Sequence, residues 1–205
     1  MLKIHITIIL LTFTFSVYAN NSFNNNLDAS ESIQKILDTS IEALKKLDKE
    51  NKRNLKEVEI LINKILFPNI DADRGTKYAL EQHWYELTNA QKQLAKDYII
   101  NSLMDDYAGF LTTYDSFDKL DIKVIPGNTI KANRTIVHLK ITANNEEIET
   151  PIAFKLIHNE KWQVYDLIIS GVSLMKNYKK SFSSIIRRKG IKGLFERINK
   201  KNKAN

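Results

Sequence analysis

The chain has 205 residues, with 31 Lys and Arg against 24 Asp and Glu, a net charge of +7, and no cysteine. Without cysteine there is no disulfide, thiol nucleophile or cysteine-held metal, so a chain of this size must rest on a packed core. The charge is uneven: residues 176–205 carry eleven Lys and Arg against Glu196 alone, whereas residues 20–175 carry nineteen against twenty-three acids. A basic C-terminal arm on an acidic body suits contact with an anionic membrane or protein surface, or else a solvated tail.

The first nineteen residues, MLKIHITIILLTFTFSVYA, hold one Lys, an apolar run from Ile4 to Phe15 and small residues before position 20. That is the pattern of a cleaved signal peptide, since the apolar run is too short to span a bilayer. The mature chain is expected to begin near Asn20, without a cysteine for lipid attachment, and to reside in a bacterial periplasm. Residues 20–29 (NNSFNNNLDA) are polar and read as a flexible leader.

From Ser30 the apolar residues Ile33, Ile36, Leu37, Ile41, Leu44 and Leu47 recur at helical spacing, with Ser30 as N-cap. A second amphipathic helix is predicted from Leu55 to Leu66, ending at Phe67-Pro68. Residues 71–87 predict a third, weakened by Gly75. Thr88-Asn89-Ala90-Gln91 matches a capping box opening a fourth helix to about Leu111.

After Tyr114 the period changes from 3.6 to 2. Strands are predicted at 120–125, 130–142, 147–157 and 161–169, with turns at Pro126-Gly127-Asn128 and Asn144-Asn145 and an edge or bulge at Pro151. A helix then starts near Val172 and ends at Arg187-Arg188-Lys189-Gly190, and a short one follows from Ile191 to Ile198. Four strands between helices, with no repeat or linker, predict one α+β domain over residues 30–200 with a basic tail at 201–205.

Catalytic toolkits are missing. His5, His83, His138 and His158 stand apart, no glycine-rich phosphate loop is present, and no aromatic-rich RNA-binding strand motif accompanies the basic residues. No metal, cofactor or nucleic acid is therefore expected. Asp71/Asp73, Asp105/Asp106 and Glu146/Glu147 read as solvated pairs. Asp166, inside the otherwise apolar strand WQVYDLII, could be a general base in a cavity or a structural carboxylate accepting hydrogen bonds.

Apolar side chains are abundant on thin elements. The strands offer Ile152, Phe154, Tyr165, Leu167 and Ile169; the helices offer Leu94, Tyr98, Leu103, Tyr107, Val172, Met175, Tyr178 and Phe182. Helices wrapped on a curved four-stranded antiparallel sheet either fill with these side chains or enclose an elongated apolar cavity.

The stretch WQVYDLIISGVSLMKNYKKSFSSIIRRKGIKGLFERI resembles the C-terminal signature of the MlaC-type periplasmic phospholipid-binding proteins, the toluene-tolerance auxiliary-component family. Trp162, Tyr165, Asp166, Gly171, Val172, Ser173, Tyr178, Phe182, Lys189 and Gly190 carry the pattern, and ILFPNIDADRGTKYALEQHWYELTNAQKQLAKDYIINSLMDDYAGFL also fits. The resemblance implies a soluble monomeric carrier that holds phospholipid acyl chains in its cavity, the thirteen apolar residues above being the candidate lining. It further implies exchange with an outer-membrane lipoprotein complex and an inner-membrane ABC transporter bearing an MCE-domain subunit, preserving outer-membrane lipid asymmetry without catalysis. A cavity enzyme using Asp166 and a peripheral envelope-membrane protein acting through the basic arm are the competing expectations.

Overall fold

The computed structural model describes residues 25–131, 133–144 and 146–202. The expected signal peptide lies outside them, as does the start of the expected leader. Five α-helices and six β-strands are present among the described residues: α1 (Asn25–Lys49), α2 (Leu55–Leu61), α3 (Ala72–Leu80), α4 (Asn89–Thr113), β1 (Leu120–Lys131), β2 (Arg134–Ala143), β3 (Glu146–Glu147), β4 (Ile152–His158), β5 (Trp162–Ile169), β6 (Val172–Ser173) and α5 (Leu174–Asn202). The strands form one antiparallel sheet in the order β1-β2-β4-β5-β6, with β3 paired to β2.

The sheet therefore has six strands where four were expected. The predicted strand over 147–157 is divided, because Pro151 lies in the break between β3 and β4. Pro126-Gly127-Asn128 is not a turn: β1 runs through it, with register shifts against β2 between Pro126 and Lys131, the signature of bulges on an edge strand. The last addition, β6, comes from residues predicted to begin a helix. Ser170 (φ 50°) and Gly171 (φ 76°) are both left-handed, as a two-residue turn of the I′ type requires, so the chain folds back and pairs Ile169 with Val172 before α5 begins.

α1 starts at Asn25, inside the expected leader. Two contacts hold its first turns: Ala29 is fully buried, and the Asp28 carboxylate accepts a 2.8 Å bond from the indole N–H of Trp162. α1 also shields the open edge of β1. The Gln34 side-chain amide donates to the Ile122 carbonyl and accepts from the Val124 N–H, both at 2.7 Å, occupying edge groups that would otherwise invite another strand.

The Thr88 capping box forms as its sequence predicts, with the Thr88 hydroxyl accepting from Gln91 N–H and the Gln91 side chain accepting from Thr88 N–H. The predicted third helix breaks after Leu80, where Glu81 adopts φ 50°, and continues as 3₁₀ turns. Gly75 survives inside α3 because of close packing: a Cβ there would lie 3.0 Å from the Tyr165 carbonyl and 3.1 Å from Met175 Sδ. Arg53, in the loop after α1, pairs with Asp48 and donates to the carbonyls of Leu111 and Tyr114, tying α1 to the end of α4.

The core is divided into three clusters. One, around Leu80, Ile99, Phe182 and Leu194, lies among α3, α4 and α5. Another, around Leu44, Val58, Ile62 and Phe117, joins α1, α2 and the end of α4. A third, around Ile33, Val137, Leu156 and Trp162, seals α1 to the sheet.

Candidate functional site

Where these three clusters meet, the side chains leave a cavity of about 370 Å³. α1 contributes Ile33, Ile36 and Leu37, and the second half of α4 contributes Leu103, Tyr107, Phe110 and Leu111. The sheet supplies Phe154 from β4 and Val164 to Leu167 from β5, and the start of α5 adds Leu174 and Met175. Its size falls within the range of small-molecule sites, and its wall is overwhelmingly hydrocarbon and aromatic.

The wall over α2 has unusual geometry. Beyond Leu61 the helix widens into a π-helical turn, Ile62–Leu66, continued by a 3₁₀ turn at Phe67-Pro68-Asn69. Ile62 and Leu66 face the cavity, while Leu61 and Ile65 face an outer groove between α1 and α2. This groove, about 750 Å³, mixes Lys35, Lys46, Lys52 and Lys64 with Glu50 and Glu57, and shares Ile36 and Asn69 with the cavity. Single π-turns inserted in α-helices are frequent at functional sites.

Polar groups on the lining are few, and Asn69 and Asp166 are both engaged within the protein. Asn69 donates to the Ile65 carbonyl at 2.8 Å and accepts from Lys161 at 3.0 Å. Asp166 is buried, and its carboxylate accepts from Lys155 Nζ at 2.9 Å, the Ser173 hydroxyl at 2.7 Å and the Met175 N–H at 3.0 Å. Ser173 in turn accepts from the Lys176 N–H at 3.1 Å. Strand carboxylate and serine thus cap two of the free N–H groups that open α5, and Lys155, opposite Asp166 in the β4–β5 register, neutralises the charge.

Burial, with a smaller contribution from Asp106, holds the Tyr107 phenol above its ordinary value. Burial does the same for Tyr165 against the lowering effects of Lys155 and Arg134. Tyr107 and Phe110 are 36% and 57% exposed, so the cavity's rim at α4 is aromatic. Among the described residues no group of three or more His, Asp or Glu is placed to hold a metal ion.

Of the thirteen sequence candidates, Leu103, Tyr107, Phe154, Tyr165, Leu167 and Met175 lie on the cavity wall. Leu94, Tyr98, Tyr178 and Phe182 pack instead in the helical cluster, where the Tyr98 and Tyr178 rings meet edge to face at 6.3 Å. Ile152 and Ile169 face each other across the β4–β5 ladder, and Val172 is 52% exposed on β6. The contributions of α1 and the π-turn were outside the candidate set. Their signal was the amphipathic stripe of the first two helices, which indicates that something is covered but not what.

The family model described as MlaC protein matches residues 34–200. The chain belongs to the MlaC family. A solved phospholipid-binding protein from Ralstonia solanacearum, determined in complex with a phospholipid, is similar with a TM-score of 0.74 and 24% identity over 86% of this chain and 98% of that one. At that identity the likeness is one of fold. The family match spans the cavity-forming elements from the middle of α1 to the last turns of α5.

Proposed function

We propose that this MlaC-family chain is a periplasmic carrier that holds phospholipid acyl chains in the cavity between α1, α4 and β5. In this reading it moves lipid between an outer-membrane lipoprotein complex and an inner-membrane ABC transporter with an MCE-domain subunit, and so maintains outer-membrane lipid asymmetry. The observation that carries it is the cavity itself, an apolar space at the junction of three packed clusters, in which the lining carboxylate of Asp166 and amide of Asn69 are bonded within the protein. The similar Ralstonia protein, named as phospholipid-binding, supports the ligand class.

Energetics suit a carrier better than a trap. Burying an acyl chain from water is worth about 0.8 kcal/mol per methylene. Between bilayer and cavity, both apolar, that large term nearly cancels, so small differences set direction. The charged head group remains at the mouth, because burying an unpaired phosphate would be very costly.

A cavity enzyme built on Asp166 is disfavoured by the same geometry: its carboxylate is committed to Lys155, Ser173 and Met175. Incubating the lipid-stripped mature protein with vesicles containing a fluorescent phospholipid, followed by size separation, tests the proposal. Protein-bound label is the expected result; label confined to vesicles overturns it.

A further inference from the structure

Ten of the eleven basic residues of the C-terminal arm, from Lys176 to Lys201, lie within α5; Lys203 falls outside the described residues. α5 kinks at Gly190 (φ 67°, ψ 178°), and the segment beyond the kink is anchored by Leu194, Phe195 and Ile198, at most 7% exposed. Asn202 adds a 3.2 Å bond to the Leu94 carbonyl, and Lys201 one of 2.9 Å to Ser102. With that face buried, Arg187, Arg188, Lys189, Lys192, Arg197 and Lys200 are left exposed. None of the six forms an ion pair among the described residues, although Lys179 pairs with Glu81 and Lys201 with Asp105. One acid, Glu196, interrupts the face.

We propose that this rigid cationic face, formed by the two limbs of α5 around Gly190, docks the protein on the anionic head groups of a lipid bilayer. The chemistry favours a membrane over an acidic protein. Protein interfaces depend on aromatic or aliphatic anchors at their centre, and the exposed positions from Arg187 to Lys200 hold none. A delocalised layer of anionic head groups needs only held charge, contributing about fivefold in affinity for each Lys or Arg near the surface.

The placement leaves the cavity free. The basic limb packs on one face of α4, through Leu94, Ser102 and Asp105, whereas the cavity takes Leu103, Tyr107, Phe110 and Leu111 from another face of the same helix. The acidic remainder of the molecule orients the basic pole toward a negative surface. Docking by this face does not depend on what the cavity holds.

Flotation of the full mature chain with vesicles tests the proposal, comparing phosphatidylcholine alone with phosphatidylcholine containing about one-third phosphatidylglycerol. Expected is binding to the anionic vesicles at low salt, lost near 0.5 M salt, where screening falls to a few ångströms. The triple variant Lys192→Gln, Arg197→Gln, Lys200→Gln should bind roughly a hundredfold more weakly. Lys49→Gln, Lys123→Gln, Lys131→Gln, with the same loss of charge, should bind as the unmodified protein does. Failure to float with anionic vesicles overturns the proposal. So does equal weakening by both triple variants, or capture by an acidic protein without vesicle binding.

Discussion

Asp166 accepts a hydrogen bond from the backbone N–H of Met175 at 3.0 Å, so a carboxylate in the middle of a strand caps the helix that begins eight residues later. The same carboxylate holds Lys155 and Ser173. One side chain therefore ties β4, β5 and the opening of α5 at one wall of the cavity.

Asp166→Ala leaves Lys155 without its partner, the Met175 N–H without its cap and the Ser173 hydroxyl without its acceptor, a defect expected to cost about 3–5 kcal/mol. Calorimetry should record a melting temperature lower by roughly 10 °C or more. Asp166→Asn, which keeps an acceptor for Met175, should fall between. Lipid bound per folded molecule should stay unchanged in Asp166→Asn, as expected of a carboxylate whose partners Lys155, Ser173 and Met175 all lie within the protein.

The turn that reverses β5 into β6 predicts opposite effects at adjacent positions. Nothing lies within 4 Å of a Cβ built on Gly171, so Gly171→Ala meets only backbone strain at φ 76° and should cost about 1–2 kcal/mol. Ser170→Asn, which suits a left-handed φ, should raise stability by a few tenths of a kcal/mol. Chemical denaturation of both variants measures the pair.

Position relative to the cavity separates two kinds of aromatic. Phe182 is 2% exposed in the helical cluster, so Phe182→Ala should lose about 3–5 kcal/mol of stability while the folded fraction binds lipid normally. Phe154 is half-buried on the cavity wall, and Phe154→Glu should reduce bound lipid severalfold with a smaller fall in melting temperature. Lipid-to-protein ratio plotted against stability distinguishes them.

Alkaline stability follows from two groups. Burial works to lower the Lys155 pKa, but the hydrogen bond and charge of Asp166 outweigh it and hold the ammonium above its ordinary 10.5. Burial pushes the Tyr178 phenol up to about 12, against a lowering hydrogen bond with Ser102. Each binds its proton more tightly folded than unfolded, so their contribution is complete below the ordinary values and is lost as pH rises through the folded ones. Melting temperature should fall as pH climbs beyond about 10, and Tyr178→Phe should make that fall shallower.

What was legible in the sequence divides along the range of the interactions. The Thr88–Gln91 cap involves neighbours three residues apart and was written out in TNAQ. The α+β order and most helix limits followed from hydrophobic periods. The sixfold sheet did not, because the Pro126–Asn128 segment carries turn residues yet stays paired as a bulged edge, and because Val172 and Ser173 form a strand only by pairing back on β5. Asp166 could not be assigned from sequence, since its partners come from β4, β6 and α5. For the cavity, Tyr178 and Ile62 both sit on apolar helical stripes in the sequence. Which one faces empty space depends on three clusters failing to merge and on a π-turn that no periodicity announces.

Mass spectrometry of lipid extracted from the protein purified out of its native host tests the carrier proposal most directly. Copurifying phospholipid of more than one head-group class is the expected result, because an apolar wall selects for acyl chains and not for head groups. Protein recovered without phospholipid, or holding a ligand of another chemical class, would contradict it.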